Sequence, residues 1–302
     1  MPDVMNTRCG FVALVGAPNV GKSTLVNELV GAKVSIVTPK VQTTRSQVRG
    51  IAVHENAQIV FIDTPGIFAP KRRLDRAMVK AAWSGAGDAD LIAVLIDAKK
   101  GLDDEARAII EKLGEARGGK ALIINKIDLV PRDSLLGLAA EVDKLGLFDR
   151  IFMISAEKGD GVPDVLRYFA ETVPSGPFHY PADEITDIPM RLMAAEITRE
   201  KVYLRLHEEL PYQSTVETDS WKDLKDGSVR IEQTIFVERE SQRKIVLGEG
   251  GRMIKSISMD ARKEMASALE KKIHLFLHVK VREDWENDPA RYRAVGLEFP
   301  KD

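Results

Sequence analysis

The stretch Gly16-Ala-Pro-Asn-Val-Gly-Lys-Ser-Thr24 is a glycine-bounded loop with the spacing GxxxxGK[ST]. The apolar run 11–15 precedes the loop, and the helical pattern 25–30 follows it. A β-branched strand, such a loop and a helix are the context of a P-loop, in which backbone N–H groups and a helix N-terminus converge on phosphate. The alternative is an ordinary strand, turn and helix with a coincidental match. The flanking segments favour a nucleoside-triphosphate site.

Each position of this loop is predicted to lie around the phosphates. Lys22 would reach the β- and γ-phosphates, and the Ser23 hydroxyl would bind Mg2+. The predicted phosphate-binding residues are Gly16, Ala17, Pro18, Asn19, Val20, Gly21, Lys22, Ser23 and Thr24.

Composition limits the class of protein. At 302 residues the chain is long enough for two domains, and its 44% hydrophobic and 30% charged residues are typical of a globular protein. The net charge of −2 gives no global attraction to nucleic acid. Cys9 is the single cysteine, and there is no signal-peptide pattern or membrane-length apolar stretch. We expect a cytoplasmic protein, with peripheral contact at the inner face of the cell membrane left open.

The first half of the chain alternates apolar, β-rich runs with helical segments, which predicts an α/β domain with a mostly parallel sheet. Ligands of such sheets bind at the carboxyl ends of the strands. Asp97 follows one of these runs, and we interpret it as a turn carboxylate rather than a catalytic one. The predicted strands are 11–15, 58–62, 91–96, 121–124 and 151–154, with 48–53 as an edge strand.

Two motifs lie where phosphate and metal contacts are expected. Asp63-Thr-Pro-Gly66 follows a predicted strand, so its carboxylate can join the Mg2+ shell and the Gly66 N–H can approach a γ-phosphate. A plain turn is the alternative. Residues 37–45 form a polar loop in which a threonine would close over Mg2+, as switch loops do, or which would be a mobile loop with no specific role.

Two further motifs indicate the base. Asn125-Lys-Ile-Asp128 follows the strand 121–124, and the Asp128 carboxylate can accept from the N1–H and amino group of guanine, which adenine lacks. Asn125 would hold the loop to the P-loop, and the Lys126 stem would cover the base. Ser155-Ala-Glu157 follows the next strand, where the Ala156 N–H could meet the guanine oxygen. An exposed polar loop is the alternative. The predicted guanine-binding residues are Asn125, Lys126, Asp128, Ser155, Ala156 and Glu157.

In this order the motifs resemble those of the P-loop GTPases, in the branch that contains the Era, TrmE and Der families. The resemblance favours Thr44 over Thr43 as the Mg2+ ligand, because Thr44 directly precedes Arg45. It implies Mg2+ bound by Ser23, Thr44 and Asp63. It also implies a switch I of Gln42, Thr43, Thr44 and Arg45, and a switch II of Asp63, Thr64, Pro65, Gly66 and Ile67.

One catalytic side chain is missing from the pattern. Ras-like enzymes have a water-orienting glutamine directly after the Asp-x-x-Gly motif, whereas Ile67 stands here. We expect a slow intrinsic rate. In the resembling families the asparagine at position 19 helps to hold K+ near the phosphates, which makes Asn19 a candidate K+ ligand. The alternative is an amide that only stabilises the loop.

The character of the chain changes at residues 174–189, which contain four of its 14 prolines and are predicted to form a semi-rigid linker. A helix at 190–209, strands at 213–218 and 229–238, an Asp226-Gly227 turn, a helix to about 269 and a strand at 272–281 follow. The predicted domains are a GTPase domain at 1–173, the linker at 174–189, and an α+β domain with a C-terminal tail at 190–302.

The second half contains a Gly-x-x-Gly loop, Gly248-Glu-Gly-Gly251, between two helical segments. Glycines there let a nucleic-acid backbone approach, and residues 239–282 hold eleven Lys or Arg against five Asp or Glu. A simple helix–turn–helix is the alternative. The element order resembles a type II KH domain, an RNA-binding module. The predicted RNA-binding residues are Lys244, Gly248, Glu249, Gly250, Gly251, Arg252 and Lys255.

A GTPase domain, a linker and a type II KH domain in this order resemble the Era family over nearly the whole chain. The resemblance implies a GTP-controlled factor that binds the 3′ region of small-subunit ribosomal RNA and acts in assembly of the small subunit. Two alternatives stay open: an RNA adaptor that binds GTP with negligible turnover, and a GTPase that docks mainly on protein or membrane. Nothing in the sequence indicates a coiled coil, and we expect a monomer.

Overall fold

The computed structural model describes residues 7–40, 44–45, 48–70, 72–114, 116, 118–206, 210–283, 288–289, 292 and 297–300. The chain divides into two compact units. The first consists of Met1–Ser35, Thr44–Asp187 and Gly296–Asp302, and the second of Ile36–Thr43 and Ile188–Val295. No helix among the described residues is long and apolar enough to cross a membrane.

A six-stranded sheet forms the centre of the first unit, in the order β2-β3-β1-β4-β5-β6. β2 is antiparallel to β3, and every other neighbouring pair is parallel, which confirms the predicted mostly parallel sheet with its edge strand. Every residue of β3 and β4 is buried, as expected for parallel strands covered on both faces. The strands are β1 (Arg8–Gly16), β2 (Val48–His54), β3 (Ala57–Asp63), β4 (Leu91–Asp97), β5 (Gly119–Asn125) and β6 (Arg150–Met153).

Helices connect the parallel strands, since a parallel pair requires a crossover. α1 and α5 contact each other and pack against β2 and β3, whereas α2 packs against β1. The carboxyl ends of β1, β3, β4 and β5 therefore lie at one edge of the sheet, where the predicted motifs follow. The helices are α1 (Lys22–Val30), α2 (Arg73–Gly87), α3 (Asp104–Leu113), α4 (Arg132–Asp143) and α5 (Val162–Thr172).

Residues after α5 form backbone hydrogen bonds with two strands of the same sheet, β1 and the edge strand β2. The Pro174 carbonyl accepts from the Cys9 N–H at 3.0 Å, and the Ile185 carbonyl accepts from the Ile51 N–H at 2.9 Å. The Thr186 hydroxyl donates to the carbonyl of Arg49 at 2.7 Å. The proline-rich stretch thus covers part of the open edge of β2, which suits residues that cannot continue a central strand.

The second unit is an α+β fold with a three-stranded sheet in the order β7-β8-β9. β7 is antiparallel to β8, and β9 is parallel to β8. The elements are α6 (Met190–Arg205), β7 (Ser214–Asp223), β8 (Val229–Val237), α7 (Glu240–Leu247), α8 (Arg252–Ala268) and β9 (Ile273–Val281).

The predicted elements of this unit are present, with two differences in length. The helix predicted at 190–209 ends at Arg205, because Leu206 is extended with a φ of −101° and a ψ of 156°. The predicted strand 213–218 continues to Asp223, because a bulge between Thr218 and Ser220 restores its pairing with β8. The predicted Asp226-Gly227 turn is confirmed, and Gly227 has a φ of +80°. The predicted C-terminal tail lies largely outside the described residues.

Candidate functional site

The P-loop joins β1 to α1 in a strained path. Asn19 has a φ of +63° and Gly21 a φ of +98°, both in the left-handed region. A Cβ on Gly21 would lie 2.2 Å from Nδ2 of Asn125, so only glycine fits beside that amide. The loop therefore packs against Asn125 of the motif Asn125-Lys-Ile-Asp128, which is predicted to contact the base and is called the base motif below.

Lys22 lies inside this loop, almost fully buried. Its ammonium donates to the carbonyls of Gly16 at 3.1 Å and Ala17 at 3.0 Å. Burial lowers the pKa of Lys22 to about 8, and the nearby charge of Asp63 opposes that shift. A phosphate in the loop would place a further anion beside this buried ammonium.

Three hydroxyl groups surround one oxygen of Asp63. Oδ2 accepts from the hydroxyls of Ser23 at 2.7 Å, Ser35 at 2.8 Å and Thr44 at 3.1 Å. The hydroxyls of Ser23 and Thr44 are 2.9 Å apart. Sequence reasoning missed Ser35, because no motif links that residue to a carboxylate 28 positions later.

This cluster has the chemistry of a Mg2+ site, namely hydroxyl and carboxylate oxygens gathered at a small focus. Asp63 is fully buried, and its Oδ1 has no hydrogen-bond partner among the described residues. Burial raises the pKa of Asp63, against the charge of Lys22 and the three hydroxyl donors. A cation beside Ser23 and Thr44 would offset that burial penalty, so these residues fit Mg2+.

The segment after Asp63 returns to the P-loop. The Ile67 N–H donates to the Gly16 carbonyl at 3.1 Å, and a Cβ on Gly66 would lie 2.9 Å from the Cα of Pro18. The side chain of Ile67 is buried and has no polar atom with which to orient water. Gln42 and Thr43 of the predicted switch I lie outside the described residues.

Asn125 holds the base motif to the P-loop. Its Nδ2 donates to the Val20 carbonyl at 2.8 Å, while its Oδ1 accepts from the N–H groups of Lys126 and Ala156. The Ala156 N–H is thus engaged by Asn125 at 2.9 Å, an arrangement that its predicted contact with guanine did not anticipate. Asp128 is exposed, with its carboxylate accessible.

Lys126 has a partner that sequence reasoning missed. Its ammonium donates to the Asn19 carbonyl at 2.6 Å and to Oδ2 of Asp97 at 2.7 Å. Asp97 also makes the predicted turn, since its Oδ1 accepts from the Lys99 N–H at 2.9 Å. The position of Asp97 at a strand end was the only available signal in the sequence.

The Gly-x-x-Gly loop of the second unit is exposed between α7 and α8. Gly248, Gly250 and Gly251 all have positive φ, and a Cβ on Gly250 or Gly251 would meet open space. Glu249 forms an exposed ion pair with Arg252 at 3.0 Å, so its charge is partly offset. The side chains of Lys244, Arg252 and Lys255 are exposed around the loop.

An apolar side chain accompanies these basic groups. Ile245 is 55% exposed on α7, next to Lys244. A surface with backbone glycines, cations and an apolar contact suits a single-stranded nucleic acid, whose bases and phosphates need both kinds of partner. Among the described residues, no three His, Cys, Asp or Glu side chains gather as a candidate metal cluster.

The fold and these two surfaces define a P-loop GTPase joined to a KH unit. Residues 11–126 match the family model described as 50S ribosome-binding GTPase, and residues 209–286 match that of the KH domain. The curated relatives of this chain include proteins named GTPase Era. The protein of Bradyrhizobium sp. strain ORS 278 is 66% identical over 98% of this chain and 96% of its own length. The protein of Brucella suis biovar 1 is 62% identical over 99% and 96%.

Solved structures agree with these sequence matches. An Era structure in complex with MgGDPNP and nucleotides 1506–1542 of 16S ribosomal RNA has a TM-score of 0.92 at 38% identity. The match covers 96% of this chain and 99% of that one. A single-substitution variant of Aquifex aeolicus Era bound to GDP.AlF4- has a TM-score of 0.90 at 38% identity, over the same shares of the two chains. The chain belongs to the Era family of GTPases, and it is an enzyme that hydrolyses GTP.

Proposed function

We propose that the protein is a GTP-controlled factor that binds the 3′ region of small-subunit ribosomal RNA and acts in assembly of the small ribosomal subunit. The observation that carries this proposal is the exposed Gly-x-x-Gly loop with Lys244, Arg252 and Lys255 around it. The Era structure that holds nucleotides 1506–1542 of 16S ribosomal RNA supports the choice of RNA.

The nucleotide is proposed to span the two motif groups of the first unit. Residues 16–24 would surround the phosphates, with Lys22 as the buried cation, and Asp128 would accept from the guanine edge. The Lys126 stem would cover the base. The Ala156 N–H would be shared between Asn125 and the guanine oxygen. Ser155 and Glu157 would flank that amide.

Mg2+ is proposed to bind between the β- and γ-phosphates and the hydroxyls of Ser23 and Thr44, with Asp63 behind them. The metal supplies positive charge for the phosphates. A bound γ-phosphate would strengthen the hold of this cluster on Thr44, as in other switch proteins. Loss of the γ-phosphate would then weaken the hold on switch I.

Water activation cannot depend on the glutamine that Ras-like enzymes have directly after the Asp-x-x-Gly motif, because Ile67 occupies that position here. We propose that K+ near Asn19 helps to neutralise charge in the transition state. Turnover should therefore be faster in K+ than in Na+ buffer, and Asn19→Ala should remove the difference while GDP still binds. Equal rates of the wild-type protein in the two buffers would eliminate the role of K+.

RNA binding is tested by changing the loop. Gly250→Asp/Gly251→Asp places two negative charges where phosphates would lie, so affinity for RNA of the sequence 1506–1542 should fall at least about tenfold. Lys225→Asp is the matched control, because it changes the net charge by the same two units at the exposed β7–β8 turn. Equal losses for both variants, measured by fluorescence anisotropy, would reduce the effect to general charge.

RNA affinity should also differ between the GTP-analogue and GDP states, since coupling between two ligands is reciprocal. Equal affinities would favour the RNA adaptor that barely hydrolyses GTP.

The salt dependence of RNA binding tests the nature of the contacts. An affinity for RNA that rises steeply as the salt concentration is lowered indicates phosphate contacts, whereas an affinity independent of salt would favour docking on protein. Binding to anionic vesicles would support peripheral membrane contact. Sedimentation of the purified protein would test whether it is a monomer.

A further inference from the structure

Asp97 closes β4 directly beside Asn125, the last residue of β5. Its backbone carbonyl accepts from the N–H groups of Lys100 and Gly101, at 3.0 and 2.9 Å. Its Oδ1 accepts from the Lys99 N–H. The local turn thus uses the backbone and one carboxylate oxygen, which leaves Oδ2 for a different partner.

That partner is the ammonium of Lys126, at 2.7 Å. The side chain of Asp97 is 10% exposed and that of Lys126 is 30% exposed, so the pair is partly shielded from water. The same ammonium donates to the Asn19 carbonyl at 2.6 Å. The lysine therefore bridges a carboxylate of β4 and a carbonyl of the P-loop.

The base motif holds two consecutive carbonyls of the P-loop. Asn125 donates to the carbonyl of Val20, and Lys126 donates to that of Asn19. The short amide side chain needs no further support, but a lysine has a flexible four-carbon stem and a strongly hydrated head group. An anion beside the head group selects the bridging conformation over a solvated one.

We infer that Asp97 is a positioning residue for guanine-nucleotide binding, which acts by holding the Lys126 ammonium against the Asn19 carbonyl. In this arrangement the Lys126 stem is positioned to cover the base. The left-handed backbone conformation at Asn19 is also fixed before the nucleotide binds. A preset site has less ordering left to do when the ligand binds. The inference rests on the proposed role of Lys126 at the base.

A purely local role for Asp97 makes a different prediction. Asparagine would still accept from the Lys99 N–H and would preserve the turn, but it would offer no charge to Lys126. Asp97→Asn thus separates the two roles. Asp103→Asn is the matched control, because Asp103 lies in the same β4–α3 connection and caps α3 through Ala106, a bond that asparagine also makes.

The experiment is stopped-flow association and dissociation of a fluorescent GDP with the full chain. Asp97→Asn should weaken binding about five- to tenfold, mainly through faster dissociation, while Asp103→Asn should stay within about twofold of wild type. In a Lys126→Met background, Asp97→Asn should add less than about twofold. An effect below about twofold in the wild-type background, or the full effect without the lysine, would overturn the inference.

Hydrogen exchange in the nucleotide-free protein gives an independent result if Lys126→Met binds too weakly to measure. Asp97→Asn should speed exchange in the P-loop peptide 17–24, and unchanged exchange would contradict the preset loop. The proposed base contact fails separately: if Lys126→Met leaves GDP affinity unchanged, Lys126 has no role at the base, whatever Asp97 does.

Discussion

Ser35→Ala tests whether the hydroxyl cluster supports the buried Asp63 charge. Ser35 is 3% exposed, and its hydroxyl donates to Oδ2 of Asp63 at 2.8 Å. Alanine removes this one donor and leaves those of Ser23 and Thr44 in place. Because the substitution deletes a single oxygen, the added cavity is small, and the lost hydrogen bond should dominate the effect.

A hydrogen bond to a charged group contributes about 1.5–3 kcal/mol. Since two other hydroxyls still serve Asp63, we expect the lower part of that range, a loss of about 1.5–2 kcal/mol in the free energy of unfolding. The measurement is urea unfolding of the nucleotide-free, Mg2+-free protein at neutral pH, followed by a signal from the first unit. Ser134→Ala, which removes an exposed hydroxyl bonded to the Pro131 carbonyl, should stay within about 0.5 kcal/mol.

The pH dependence of this loss follows from its cause. The Ser35 hydroxyl favours the ionised form of Asp63, so its removal raises the pKa of Asp63 further. The stabilisation by Ser35 is therefore present where Asp63 is ionised in the folded protein, and it shrinks as the pH falls through the folded pKa. A loss below about 0.5 kcal/mol, or an equal loss in an Asp63→Ala background, would refute this account of the cluster.

Two further changes test the packing of each unit. Gly21→Ala should weaken GDP binding by about a hundredfold in calorimetry, because its Cβ would displace Asn125. Gly31→Ala is the control, because Gly31 also has a positive φ but faces open space. It should cost about 1 kcal/mol of stability and leave the affinity for GDP unchanged. Arg199→Met should destabilise the second unit by about 3 kcal/mol in chemical unfolding, because it removes the buried partner of Glu196; a loss under about 1 kcal/mol would show that the ion pair contributes little.

Sequence patterns predicted the parts of the fold that depend on local chemistry. Glycine spacing, apolar runs and strand ends predicted the P-loop and the positions of the strands along the chain, since each follows from neighbouring residues. The length of β7 could not be predicted, because the bulge between Thr218 and Ser220 depends on pairing with β8. The pairing of Ile185 with β2 is likewise a property of the folded sheet.

The candidate site shows the same limit. Lys22, Asp63 and Asn125 belong to motifs, and each has a chemical role that residue type and spacing indicate. Ser35 and Asp97 belong to no motif, and they reach the site only because the fold brings their elements to one edge of the sheet. Long-range hydrogen bonds of this kind leave no periodic or spacing signal in a single sequence.

The most direct test of the proposed function is GTP turnover in K+ buffer, with and without an RNA oligonucleotide that copies nucleotides 1506–1542 of 16S ribosomal RNA. A factor that couples its two units should hydrolyse GTP faster with the RNA, and Gly250→Asp/Gly251→Asp should abolish the gain while the rate without RNA stays at the wild-type value. If the RNA binds to the wild-type protein and leaves its turnover unchanged, the two units act independently, and the proposed GTP-controlled factor is contradicted.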